Sequence, residues 1–340
     1  MKTEITMLGT GFSNATKCYN TCFTISENDE NHFSKDENVA SEDVNSISED
    51  ENVASEDENV ASEDANSISE DLNFASKDGN SVRRRRHFLV DTGGGNYILR
   101  ALELSGIELE DIHDIFITHA HNDHILGILW IISEITRHMR MRIYEGDLRI
   151  YCHDEAAHII TELARLTLFG RTFEEIGKRI KLIIVEDGDS HKIMNFDVKF
   201  CDIHSTKQKQ FGFSLVDKRK KHIVCCGDEP MSEEMENIAK GCDILMHEAY
   251  CLYSERERYK PYKKHHSTAK DACENAARLG AKNIIMYHTE DNSLESRKAD
   301  YTAEGREYFG GGIYVPDDGE IISLESGLKC LQKSRWPKGL

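Results

Sequence analysis

Four metal-ligand side chains stand within six positions at His119-Ala120-His121-Asn122-Asp123-His124, directly behind the apolar run Ile115-Phe116-Ile117-Thr118. A strand that ends and turns into a helix is the setting in which this spacing works. His119 and His121, two apart, can project together toward one point. Asp123 and His124 open the next helix and can reach a second. Imidazole and carboxylate are the ligands of borderline divalent metals, zinc foremost, with manganese or iron as alternatives. A chain carrying this cluster must therefore bring strand ends together at one edge.

Two adjacent ions would need more ligands and a bridge. Three further candidates each follow an apolar run: His204 after Phe200-Cys201-Asp202-Ile203, Asp228 after Val224-Cys225-Cys226-Gly227, and His288 after Ile284-Ile285-Met286-Tyr287. With the cluster they make seven ligand-type residues.

The formal charge of −19 is unevenly spread. Residues 27–81 hold a net −16, which leaves −3 for everything else. Within that segment Asp recurs at 36, 43, 50, 57, 64, 71 and 78, in units such as DENVASE. A period of seven suggests a coiled coil, but the apolar residues are adjacent (Val39-Ala40, Val53-Ala54, Val60-Ala61) and form no a/d seam. Such a segment offers little to offset the entropy of ordering. It reads as an acidic disordered insertion, ending at Arg83-Arg84-Arg85-Arg86, in one domain spanning 1–340.

The ten cysteines are scattered with no CxxC pair, as reduced thiols in a cytosolic protein would be. The start, Met1-Lys2-Thr3-Glu4-Ile5, shows no charged-then-apolar leader, and Ile125–Ile135 is too short to span a bilayer. A cytoplasmic protein without membrane segments is expected. The apolar helix near 125–138 would permit a homodimer.

With the insertion set aside, strands at about 18–26 and 87–91 rejoin as a hairpin. Helices are expected near 96–105, 125–138, 154–178, 232–240 and 267–279. Strands are expected at 5–8, 112–118, 180–186, 191–204, 211–217, 222–227, 243–247 and 283–287, with a final pair near 312–324. The extra material at about 137–180 has helical patterning. The mixture implies an α/β architecture, two sheets packed inside covering helices.

HxHxDH followed by spaced His, Asp and His resembles the metallo-β-lactamase superfamily, along nearly the whole chain outside 27–81. The resemblance implies a four-layer αβ/βα sandwich of two mixed sheets. It further implies that His119, His121 and His204 hold one zinc, that Asp123, His124 and His288 hold the other, and that Asp228 bridges them. Asp91, in Phe88-Leu89-Val90-Asp91-Thr92-Gly93-Gly94-Gly95, would support the ligands without binding metal. Oxygen-reducing members carry a carboxylate where His121 stands.

Three more segments resemble ribonuclease Z, the endonuclease that trims tRNA 3′ ends: His247-Glu248-Ala249, His265-His266-Ser267-Thr268-Ala269 and the opening Leu8-Gly9-Thr10-Gly11. By that resemblance Asp123 handles the attacking water, and His266, positioned by Glu248, serves the leaving oxygen. His247 would stand behind them. The plain alternative for His266 is a surface residue ahead of a helix capped by Ser267 or Thr268. Only residues 205–227 separate His204 from Asp228, which leaves no room for the family's long tRNA-gripping arm.

Arg256, Arg258, Lys260, Lys263 and Lys264, interleaved with Tyr253, Tyr259 and Tyr262, precede His265 and suit phosphate and bases, or simply a solvated loop. The expected function is a dinuclear zinc phosphodiesterase, acting on RNA such as a tRNA precursor or on a small phosphodiester. Hydrolysis of another ester, lactone or thioester by the same site is the first alternative. A metal-binding module that recognises without cleaving is the second.

Overall fold

Alternation of inward and outward apolar residues along each strand builds two sheets with one core between them and one on each outer face. The computed structural model describes residues 2–28, 85–325, 327–332 and 336, so the heptad repeat at 36–78 lies outside the described residues. Strands and helices are numbered in chain order. The first sheet has eight strands in the order β15 (Gly327–Gln332), β14 (Glu320–Glu325), β1 (Lys2–Gly9), β2 (Cys22–Asn28), β3 (His87–Val90), β4 (Ile112–Phe116), β5 (Leu148–Cys152) and β6 (Ile180–Ile184). The second has seven: β13 (Gly312–Tyr314), β12 (Asn283–Tyr287), β11 (Ile244–Glu248), β10 (His222–Cys225), β9 (Phe211–Val216), β8 (Phe196–Asp202) and β7 (Ser190–Ile193). Both are mixed. The run β3 to β6 is parallel, as is β10 to β13, while β1, β2 and β3 pair antiparallel.

Side-chain parity sorts the layers. Phe88, Val90 and Phe116 point inward and meet Phe200, Phe213, Leu215, Met246 and Tyr287 of the other sheet. Their neighbours Leu89 and Ile115 point outward, beneath α1 (Tyr97–Leu104) and α3 (Gly127–Arg140). On the far side Val224, Leu245 and Ile284 lie under α6 (Glu233–Ala239), α8 (Ala269–Leu279) and α9 (Leu294–Arg306). The result is helix, sheet, sheet, helix, the expected four-layer sandwich. No helix among the described residues is long and apolar enough to cross a membrane.

Several element expectations need correction. The helical reading of 137–180 hides β5, a five-residue parallel strand whose flanks carry the helical signal. The helix expected at 154–178 breaks at Leu168, which is extended, giving α4 (Asp154–Thr167) and α5 (Gly170–Phe173). The single strand expected at 191–204 is two, turned at Met194 (φ 54°). α9 was not expected, because its inner face is Arg297, Tyr301 and Gly305, four residues apart but barely apolar. The expected hairpin of 18–26 with 87–91 forms, with Phe23 opposite Val90 and Ile25 opposite Phe88.

Helix α3 enters close to the loop after β3. A Cβ at Gly127 would stand 2.0 Å from the Thr92 carbonyl oxygen, and the Gly127 N–H donates to the Gly93 carbonyl at 3.0 Å. Only glycine admits that approach. Gly127→Ala is therefore expected to destabilise the fold by about 2 kcal/mol through overpacking, despite alanine's better helix propensity. Urea unfolding of both proteins measures it, and a more stable variant would show that the contact relaxes freely.

Candidate metal centre

Every candidate ligand lies past the carboxyl end of a strand, at one edge of the two sheets, where loops of open α/β sheets place their sites. Asp91 follows β3, and His119 to His124 follow β4. Asp228 follows β10, Glu248 closes β11, and His288 follows β12. His121 precedes α2 (Asn122–Ile125) in extended conformation, which turns Asp123 and His124 back toward the sheet.

Asp91 organises the first group. Its Oδ1 accepts from the Thr118 N–H at 2.8 Å, and its Oδ2 accepts from Thr118 Oγ1 at 2.8 Å. The same Oδ2 lies 2.8 Å from His124 Nδ1, which fixes that ring with Nε2 facing the cluster. Thr118 Oγ1 also lies 2.9 Å from His119 Nδ1. One buried carboxylate thus orients rings on both sides of the cluster.

Two sets of ligand atoms converge. His119, His121 and Asp228 form one, and Asp123, His124 and His288 the other. Asp228 Oδ2 lies between them, 3.6 Å from His119 Nε2, 3.5 Å from His124 Nε2 and 3.7 Å from His288 Nε2. Gln210 Nε2 donates to Asp228 Oδ1 at 2.7 Å and so holds Oδ2 toward the rings. Gln210 was not singled out from the sequence; only its place between His204 and Asp228 hinted at it.

The chemistry of these donors fits metal ions. Asp123 Oδ2 and His124 Nε2 are buried without hydrogen-bond partners, although they lie 3.2 Å apart. Burial depresses the His119 and His288 imidazoles. Burial opposes ionisation of Asp123 and Asp228, yet His124 beside the first and His119 beside the second hold both carboxyls below their usual range. Burial works to lower the His124 imidazole, but Asp123 and Asp91 beside it raise it overall. Buried carboxylates and imidazoles with unpartnered ligand atoms suit cations. Among the described residues no cysteine joins either set, and the nine cysteines from Cys18 to Cys273 are free and buried.

His204 is the correction. The resemblance assigns it to the first metal, but the structure leaves its side chain 60% exposed, 3.7 Å from Glu234 and 3.8 Å from Asp202. Its N–H donates to Asp202 Oδ1 at 2.8 Å and its φ is 55°, so the loop leaves the sheet with the ring turned outward. Asp228 completes that trio of ligand atoms instead. The other six expected ligands come together.

Glu248 and His266 do meet. Glu248 is fully buried; Oε1 accepts from the Ser267 N–H, and Oε2 stands 3.7 Å from His266 Nδ1. Neither Oε2 nor Nδ1 has a hydrogen-bond partner. Burial pushes the Glu248 carboxyl well up and the His266 imidazole down to about 3. The His266 ring lies 5.2 Å from the His288 ring, next to the ligand cluster. Thr268 caps α8 through a reciprocal pair with Asp271, which fixes the chain two residues after His266. His265 is exposed, and His247 is buried against the Glu248 carbonyl and Asn275. Left-handed backbone recurs here, at Asp91 (φ 54°), His265 (55°) and His288 (57°), as strain often gathers at working sites.

His266 also lines a cleft of about 590 Å³ with Pro230, Met231, Tyr262, Asp271 and Arg278. The basic segment before it is largely engaged locally. Arg258 pairs with Glu255 at 3.2 Å, Lys260 with Glu257 at 2.6 Å, and Lys264 donates to Tyr250 Oη at 2.8 Å.

Fold and ligand edge together define a metal-dependent hydrolase of the metallo-β-lactamase type. The chain belongs to the beta-lactamase superfamily, whose domain matches residues 86–289. It is similar to ribonuclease Z of Thermococcus sibiricus, 26% identical over 277 residues that cover 69% of this chain and 86% of the relative. Ribonuclease Z of Mycobacterium sp. (strain KMS) is 25% identical over 259 residues, covering 71% and 87%. Among solved structures, the metallo-beta-lactamase fold protein YhfI from Bacillus subtilis superposes with a TM-score of 0.66 at 14% identity, covering 95% of this chain and 100% of that one. Human tRNase Z, short form, gives 0.59 at 17% identity, covering 95% and 99%. These likenesses bear out the expected fold and family.

Because Asp91 orients His124, Asp91→Asn is expected to keep the fold and weaken metal binding by about ten- to a hundredfold. Titration against a chromogenic chelator measures this; unchanged affinity would show that His124 is held without it.

Proposed function

We propose that this protein is a dinuclear metal phosphodiesterase similar to ribonuclease Z, with zinc as the metal. The carrying observation is the two three-ligand sets with Asp228 Oδ2 lying between them, and the His266–Glu248 pair beside them at a cleft. Relatives named ribonuclease Z support the same bond. His119, His121 and Asp228 would hold one ion, and Asp123, His124 and His288 the other, with the Asp228 carboxylate common to both. When bound, two such ions supply positive charge to phosphoryl oxygens and make a nearby water more acidic.

The chain's own residues account for the proton traffic. Asp123, held ionised beside His124, accepts a proton from the attacking water. The water oxygen adds to phosphorus as the bond to the leaving oxygen breaks, and His266 donates a proton to that oxygen. Glu248 carries a proton 3.7 Å behind the ring, because burial disfavours its charge, and restores the imidazole. The leaving group departs into the cleft that His266 lines.

RNA, including a tRNA precursor, is the expected substrate class. The turn at 217–221 between β9 and β10 carries no gripping arm, so recognition falls to surfaces around the cleft. Metal-loaded protein is expected to hydrolyse bis-p-nitrophenyl phosphate and to cut a tRNA precursor at one mapped position. Cleavage confined to carboxylic esters, lactones or thioesters would overturn the phosphodiesterase reading. His266→Ala is expected to retain its metal content while kcat falls by about 10²- to 10⁴-fold. Near-normal turnover by that metal-replete variant would remove His266 from the mechanism.

A further inference from the structure

The loop 204–210 joins β8 to β9 beside the ligand cluster, and its own hydrogen bonds tie it to two neighbouring acidic residues. Ser205 Oγ donates to Glu229 Oε1 at 2.8 Å and accepts from the N–H groups of Lys207 at 3.1 Å and Gln208 at 3.4 Å. At its far end Gln210 Nε2 donates to Asp228 Oδ1 at 2.7 Å, and Gly227 has a φ of 83° where a Cβ would stand 2.6 Å from that amide. The loop is therefore anchored on both sides of Lys207.

Lys207 Nζ lies 3.6 Å from Glu229 Oε1, an ion pair longer than a hydrogen bond, with the side chain 26% exposed. Glu229 immediately precedes Pro230 and Met231, which line the cleft that also holds His266. After burial and the nearer charges, the Lys207 ammonium is among the influences that lower His266 and His288, and it also lowers Glu248. Glu229 stands in the chain between Asp228 of the ligand cluster and Pro230 of the cleft, so the ion pair holds Lys207 near both. Other cations nearby are committed elsewhere. Lys209 reaches Asp154 at 2.6 Å, Arg278 reaches Glu236 at 2.6 Å, and Lys264 donates to Tyr250.

We propose that Lys207 is the substrate-binding cation of this site, receiving a non-bridging oxygen of the phosphodiester so that the scissile phosphate lies between the ligand cluster and His266. A phosphodiester carries one negative charge, and an ammonium with protons to donate, held by the residue next to Asp228, recognises that charge whatever the attached groups are. Glu229 aims it while leaving donor protons to the substrate. The proposal rests on the phosphodiesterase reading for its reaction, but its binding step stands apart from turnover.

The test uses the full metal-loaded chain, with Lys207→Met and Lys207→Arg compared against the unaltered protein. Hydrolysis of bis-p-nitrophenyl phosphate gives KM and kcat, and calorimetry gives the affinity for inorganic phosphate. Lys207→Met is expected to raise KM and weaken phosphate binding by about tenfold each, with kcat changed less than about threefold. Lys207→Arg is expected to restore most of both losses. Equal KM and equal phosphate affinity in Lys207→Met would overturn the assignment. So would a loss shared by both variants and accompanied by lost metal, which marks a structural role. Unaltered protein that binds phosphate through Lys207 but cleaves only uncharged esters would sink the phosphodiesterase reading and leave this assignment standing.

Discussion

Everything at the catalytic edge depends on the carboxylate of Asp91. It ends β3 in a left-handed conformation, accepts two hydrogen bonds from Thr118 past the end of β4, and contacts His124 on the following helical turn. A parallel strand pair sets strand spacing but not where the loops beyond it go. Three contacts to one buried carboxylate supply that missing definition, because each would leave an unsatisfied polar group if broken. The ring of His124 is thereby aimed before any ion arrives. Asp228 is the counterpart from the second sheet, aimed by Gln210 and reaching rings from both halves.

The two-sheet architecture explains why these carboxylates can meet. β3 and β4 lie in one sheet and β10 to β12 in the other, with Phe116, Phe213, Met246 and Tyr287 packed between them. Strands of both sheets deliver their carboxyl ends to one edge. Ligands from opposite sheets then approach within 4 Å across the rim of the core. Burial there makes carboxylate charge costly unless cations balance it, so the aromatic filling and the affinity for ions are linked. The same burial raises the Glu248 carboxyl and lowers the His266 imidazole, a pair suited to handing a proton outward.

The expected fold and family hold, and one expected ligand does not reach its place. HxHxDH needs only local chain geometry, two residues on an extended segment and two on the first turn of a helix, so it was legible from spacing. Asp228 and His288 were legible because each follows an apolar run that reads as a buried strand. His204 follows such a run too, yet its ring faces Glu234 and solvent. Nothing in local spacing encodes on which side of a strand end a loop leaves the sheet.

The chemistry carried at strand ends and the layer architecture are legible in the amino-acid order, because metal-type residues and side-chain parity are local properties. Helix α9 and strand β5 escaped it, since an inner face of Arg297, Tyr301 and Gly305 makes no apolar stripe and a five-residue strand is short beside helical flanks. Tertiary structure alone decided the distances from Asp228 Oδ2 to rings of both ligand sets, the Gln210 contact that aims it, and the pairing of Lys207 with Glu229. Each joins residues from different strands or loops, and such distances are set by how two sheets close on one core.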